Sequence, residues 1–274
     1  MKRLLIGITA FLAAAVALAQ GNQSPSQPAV PNAQTNYVSS LPDFGPAPEF
    51  ANETWLNTDV PLRLSNLRGK VVLIDMWTFA CINCIHITPY VQDWHTKYAE
   101  QGLVVIGNHF PELSYERDIA NVRKALPDLG ITYAVTQDNS GATWSAWANH
   151  YWPTVYLIDK QGRVRYTHIG EGGYDTTEAA IQDLLKEEYS ASAEATASPE
   201  NTLRYLNPTT SVNIRASADA NAQVIGSIEA GEAVVIRSEE NGWYRIGYND
   251  GEGFVSTDSV KVKDEPVYEN NPST

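Results

Sequence analysis

Two hydrophobic periods alternate through the middle of the chain. KVVLIDMWTF (Lys70–Phe79) and LVVIGNHF (Leu103–Phe110) are nearly continuous apolar runs, the pattern of strands buried on both faces. HITPYVQDWHTKYAEQG, between them, carries apolar residues at helical spacing and stops at Gly102. YERDIANVRKALPDLG is a second helical stretch, with Pro127 near its end, and ITYAVTQD reads as a short strand. GATWSAWANHY reads as a short helix or helical turn. PTVYLIDKQGRVRYTHIG reads as a hairpin turning at Lys160-Gln161-Gly162, and TTEAAIQDLLKEEY as a closing amphipathic helix. Strand–helix–strand units followed by a hairpin and a helix predict an α/β fold about a mixed sheet.

Beyond this region the texture changes. SVNIRA, QVIGSI, AVVIRSE, GWYRIGY and EGFVST are short β-rich runs separated by Gly, Asn and Asp turns, which predicts a small all-β barrel. Two polar stretches punctuate the chain: QGNQSPSQPAVPNAQTNYVSSL near the start and SASAEATASPENT between the two regions. The expected organisation is a leader over 1–19, a flexible segment over 20–41, and an α/β domain over 42–189. A linker over 190–202, a barrel over 203–263 and a loose tail over 264–274 complete it.

The leader reading rests on Lys2 and Arg3, an apolar run from Leu4 to Leu18, and small residues ending at Ala19. That is the pattern of a cleaved secretory signal, and the run is short for a membrane anchor. It predicts a soluble, extracytoplasmic protein, most simply periplasmic. Of 274 residues, 43% are hydrophobic and 19% charged, and the formal net charge is −13. With no dense basic patch, binding to nucleic acid through its phosphates is not expected.

Only two cysteines occur, Cys81 and Cys84, both in WTFACINCIH. A CxxC is a redox pair, half of a metal site or a structural staple. A four-residue ring restrains little chain entropy, so a staple has little to offer here. Zinc needs two further ligands, and His86 is not obviously aimed at the same point, so no metal is expected. As a redox pair, Cys81 opens a helix. The unpaired N–H groups there favour an anion, which makes Cys81 the nucleophile. Cys84, one turn on, is placed to resolve a mixed disulfide.

The stretch VVLIDMWTFACINC, with YWPTVYLID far downstream, resembles the thioredoxin superfamily. APEFANETWLN, LVVIGNHFPE and the hairpin after Pro153 bring it nearer the extracytoplasmic DipZ-like and TlpA/ResA-like redoxins. VNIRASADANAQVIGSIEAGEAVVI and GWYRIGYNDGEGFVSTDSV resemble bacterial SH3-like (SH3b) domains. One departure is Ala80, where such redoxins often carry a serine.

The resemblance implies a thioredoxin-like fold plus an SH3-like barrel, and a thiol–disulfide oxidoreductase without a cofactor. Asp75, buried in the first strand, would shuttle a proton for Cys84. Pro153, with a cis peptide bond, would present backbone to a substrate strand, flanked by Trp77, Trp152 and Thr154 as substrate contacts. Glu112 is a further acid in the neighbourhood. The partners it implies are disulfide-containing envelope proteins and a separate membrane thiol carrier as electron donor. The barrel implies a cell-wall peptide or glycan. Reduction is the favoured direction. A redoxin-type peroxidase, and an envelope-binding protein acting mainly through its barrel, are the rival readings. Trp94, Trp144 and Trp147, and the barrel's Trp243, Tyr244 and Tyr248, read first as core aromatics.

Overall fold

The computed structural model of the chain describes residues 37–189 and 195–270. The expected leader and residues 20–36 lie outside the described residues. The α/β part comprises β1 (Thr54–Leu56), β2 (Val71–Trp77), α1 (Ile82–Tyr98), β3 (Leu103–His109), α2 (Ile119–Asp128) and β4 (Ala134–Gln137). It continues with α3 (Ala142–Ala146), β5 (Thr154–Ile158), β6 (Val164–Ile169) and α4 (Tyr174–Leu185). β2, β3 and β4 are parallel neighbours, β5 runs antiparallel to β2, and β6 antiparallel to β5. The strands and helices expected from the two periods are thus present.

Alternation along β2 divides the core. Val71, Leu73 and Trp77 face a cluster with Ile87 and Val91 of α1, Val122 of α2 and Ile181 of α4. Val72, Ile74 and Met76 face the other way, toward Phe50, Trp55, Leu64 and Trp147. Both faces are covered, so β2 is buried at every position, which is why its sequence is apolar without alternation. Among the described residues no helix is long and apolar enough to cross a membrane.

The β-rich part contains β7 (Ala195–Leu206), β8 (Val212–Arg215), β9 (Val224–Ile228), β10 (Ala233–Glu240), β11 (Trp243–Tyr248), β12 (Gly251–Ser256) and β13 (Val262–Asn270). Val212, Ile214, Ile228, Val234, Ile246 and Val255 form its core. Tyr244 belongs to that core, and Tyr248 packs against both it and the α1-side core of the first part.

The two parts share a sheet. Three-residue β1, too short to stand out in the sequence, pairs on one side with β4 and on the other with β10. Thr54 is opposite Gln137 on one edge and Val234 on the other. Tyr205 and Ala233 complete the core around Trp55.

Three expected loose segments differ in the structure. Residues 37–41 lie along α4, where Ser39 N–H donates to Glu187 Oε1 at 3.1 Å and its hydroxyl to Asp183 Oδ2 at 2.5 Å. Arg165, almost fully buried, donates to the carbonyls of Ser39, Leu41 and Pro42. These polar partners order a segment with no hydrophobic period. Of the expected linker, 190–194 lie outside the described residues, whereas 195–202 belong to β7. Of the expected tail, 264–270 belong to β13, which pairs with β7, and 271–274 lie outside. Main-chain pairing supplies order here without an apolar pattern.

Candidate active site

β2 ends at Trp77, and the loop Thr78–Ala80 leads to Cys81, the N-cap of α1. Cys81 has extended backbone (φ −76°, ψ 114°), and the N–H of Cys84 donates to its sulfur at 3.2 Å. An N–H at that sulfur, at the positive end of a 17-residue helix, stabilises negative charge there. Cys81 is half-buried and Cys84 is 1% exposed, both as unbridged thiols. The i, i+3 spacing therefore yields one sulfur open to a partner and one behind it.

Asp75 lies in the middle of β2, fully buried, opposite Gly107 of β3 and Val155 of β5. Neither carboxylate oxygen makes a hydrogen bond of good geometry. Loss of water pushes its pKa up to about 7, and the nearby Tyr133 hydroxyl opposes the rise. Burial also pushes the Cys84 thiol up, assisted by the neighbouring Cys81 and Asp75. Asp75 thus sits within electrostatic reach of Cys84, and both groups resist charge. With its pKa near 7, Asp75 is present in both protonated and ionised forms around neutral pH. Gly107 makes the close packing possible: a Cβ there would lie 2.7 Å from Trp77 Nε1 and 3.2 Å from Tyr133 Cε2.

Pro153 precedes β5, and the Trp152–Pro153 peptide bond is cis. Met76 pairs with Thr154, so Pro153 lies at the end of the sheet from which the cysteine loop leaves. Trp152 is half-buried. Its Nε1 donates to the Phe110 carbonyl at 3.1 Å, and its ring stacks on Phe110 and lies against Trp144. Trp77 and Thr154 are fully buried, and the Thr154 hydroxyl is bonded to the Tyr151 carbonyl. Their side chains therefore pack inside the fold and face no docked chain, while Trp152 keeps an accessible face. Ile82, between the cysteines, is 59% exposed, and Leu113, Tyr115 and Tyr151 are also exposed. His86 faces outward and meets Glu171 at 3.0 Å.

Sequence reasoning missed the polar support beneath the loop. Glu112 is exposed, and the buried acid is Glu116. It accepts the Ala80 N–H at 2.9 Å and the Thr78 hydroxyl. Thr78 Oγ1 also lies 3.2 Å from His109 Nε2. His109 is stacked on Phe79 and edge-on to Trp77, and burial pushes its pKa down to about 4. The available signal was His109 itself, a polar side chain closing an apolar strand. The identity of its carboxylate neighbour depends on the path of the 110–116 segment.

The model for the AhpC/TSA family matches residues 45–167, and that for the bacterial SH3 domain matches 210–261. The thiol-disulfide oxidoreductase YkuV of Bacillus subtilis is 30% identical over 143 residues, spanning 52% of this chain and 95% of YkuV. The chain belongs to the thioredoxin-like redoxins. In this redoxin an SH3-like domain follows the redox domain. Protein DipZ of Mycobacterium bovis is 45% identical over 153 residues, which are 55% of this chain but only 22% of DipZ. The crystal structure of the thioredoxin-like superfamily protein SPOA0173 superposes with a TM-score of 0.50 at 28% identity. That match covers 53% of this chain and 99% of the other. The close-spaced cysteine pair is consistent with thiol–disulfide chemistry in a member of this family.

Proposed function

We propose that this redoxin is an exported thiol–disulfide oxidoreductase that reduces disulfides in proteins of the cell envelope. The observation that carries the reading is the pair itself: Cys81 half-exposed at a helix N-terminus, with the Cys84 N–H on its sulfur, above a buried Cys84 and Asp75.

Cys81, as thiolate, attacks one sulfur of a substrate disulfide. A Cys81–substrate S–S bond forms, the substrate S–S bond breaks, and the leaving thiolate takes a proton. The Cys84 thiol then loses its proton to Asp75 and attacks the Cys81 sulfur. The mixed disulfide breaks, and the substrate leaves with two thiols. Two electrons pass from the pair to the substrate, and Cys81–Cys84 remains as a disulfide. A separate membrane thiol carrier restores the dithiol. The backbone beside Pro153 and the open face of Trp152 receive the substrate strand. The leader pattern supports the extracytoplasmic location, and the SH3-like domain supports a cell-wall peptide or glycan as its ligand.

Trapping tests this. Cys84→Ser should accumulate a mixed disulfide between Cys81 and a disulfide-bearing envelope protein, released by dithiothreitol, and Cys81→Ser should not. Absence of any Cys81-dependent adduct would sink the proposal. Rapid Cys81-dependent peroxide turnover without protein disulfide reduction would move the activity to the peroxidase reading.

A further inference from the structure

The loop that presents Cys81 is held by one buried carboxylate. Glu116 Oε1 accepts from Ala80 N–H and the Thr78 hydroxyl, and Oε2 accepts from the N–H groups of Glu112 and Leu113 at 2.9 and 2.7 Å. Glu116 thereby ties residues 78–80 to the 3-10 turn Ser114–Arg117 on which it sits.

That turn is gripped by the SH3-like domain. Arg117 donates through Nε and Nη2 to the two carboxylate oxygens of Asp250, at 2.6 and 2.5 Å. Two residues on, the Ile119 N–H donates to Asn249 Oδ1 at 3.0 Å. This N–H is one of those at the start of α2 that have no partner within the helix. Asn249 and Asp250 are the two residues between paired Tyr248 and Gly251, so they form the β11–β12 turn. Asn249 has φ +50°, a conformation that asparagine tolerates better than most residues. Farther along α2, Arg123 meets Glu232 with both Nε and Nη2, fixing the helix against the barrel at a second point.

An unbroken series of bonds therefore runs from the barrel to the redox loop. The Arg117–Asp250 pair is partly exposed on both sides, and such pairs add little to stability. Its consequence is positional. We propose that Asn249 and Asp250 are positioning residues for the redox pair, acting through Arg117 and the start of α2 on Glu116, and through Glu116 on the loop that presents Cys81. The inference rests on Cys81 being the attacking sulfur.

Loosening the turn displaces Cys81 from the Cys84 N–H. That bond is strongest when the sulfur is negatively charged, so its loss disfavours the reduced form. The pair becomes more reducing, and Cys81 reacts more slowly.

The test uses the full chain with Asp250→Ala, Asn249→Gly and Asp250→Glu. Glu252→Ala is the control, because Glu252 pairs only with Arg237 and Arg245 among the described residues. The readouts are Cys81 alkylation at fixed pH and the dithiol–disulfide equilibrium against dithiothreitol, with near-ultraviolet circular dichroism to report folding. Asp250→Ala and Asn249→Gly should each change both readouts about threefold, about 14 mV for a two-electron couple. Asp250→Glu should recover most of the wild-type value, and Glu252→Ala should match wild type. Folded variants with unchanged reactivity and equilibrium would overturn the inference while leaving the redox reading intact. An equal shift in Glu252→Ala would overturn it too, because the effect would then be general. A wild-type pair that fails to exchange with dithiothreitol while folded would instead overturn the redox reading, and this inference with it.

Discussion

Replacing Asp75 with asparagine probes the buried acid directly. In the folded chain the carboxyl is moved from an ordinary 3.8 to about 7 because it loses water and gains no hydrogen bond of good geometry. At about 1.4 kcal/mol per unit, the folded state holds this proton more tightly by about 4 kcal/mol. The sign follows from proton counting. Between the unfolded value and about 7, the folded state binds more protons than the unfolded one, so stability falls as pH rises through this window and stays lowered above it. The carboxylate is flanked by Gly107 and Val155, and the titratable groups near it are Tyr133 and Cys84.

Asp75→Asn removes the titration. The variant should gain up to about 4 kcal/mol over wild type above about pH 8, less what its unpaired amide N–H groups lose by burial. That gain should shrink toward zero near about pH 4. His109 acts in the opposite sense. Burial holds it neutral down to about 4, so its contribution is lost as pH falls from the ordinary value of 6.5 toward that point. It is present in both proteins and cancels in their difference. The assay is urea unfolding followed by tryptophan fluorescence across that pH range, with single-turnover reduction of a disulfide peptide run in parallel. The resolving step should slow at neutral pH while stability rises. A stability difference that is the same at both ends of the pH range would refute the reasoning.

Two further outcomes follow from the packing. Arg165→Met should lower unfolding free energy by about 3–5 kcal/mol in urea denaturation, because Asp159 and Glu187 lose a buried partner and three backbone carbonyls lose their donor; a change under about 1 kcal/mol would contradict that ledger of bonds. A chain ending at residue 189 should aggregate in light scattering, because removing β10 uncovers the outer edge of β1 beside Trp55; a monomeric, cooperatively folding fragment would show that the shared sheet is dispensable.

Much of the redox part was legible because its signals are local. The apolar runs of β2 and β3, the helical spacing of α1 and the hairpin turn at Gly162 each lie within one window of sequence. Cys81 and Cys84 are fixed by the start of one helix, and Asp75 by its place in an apolar strand. Glu116 and His109 were illegible as a support for the redox loop because their pairing depends on how the 110–116 segment folds back to Thr78 and Ala80. β1 was missed because three residues carry no measurable period, although its pairing joins the two parts. The order of 37–41 and of 195–202 comes from hydrogen bonds to distant partners, so polar composition there did not mean loose chain. Tryptophan composition was equally silent on role: Trp77 lies wholly inside the fold, whereas Trp152, one residue before Pro153, keeps an accessible face.

The central claim is that Cys81 and Cys84 form a working redox couple that donates electrons. The reduction potential of that pair in the folded protein, by equilibration against dithiothreitol and glutathione, tests it most directly. The account predicts reversible exchange with a potential near the thioredoxin range, about −270 mV. A value near about −120 mV would contradict the direction, making the pair a disulfide donor. A pair reducible only after unfolding would contradict the function itself.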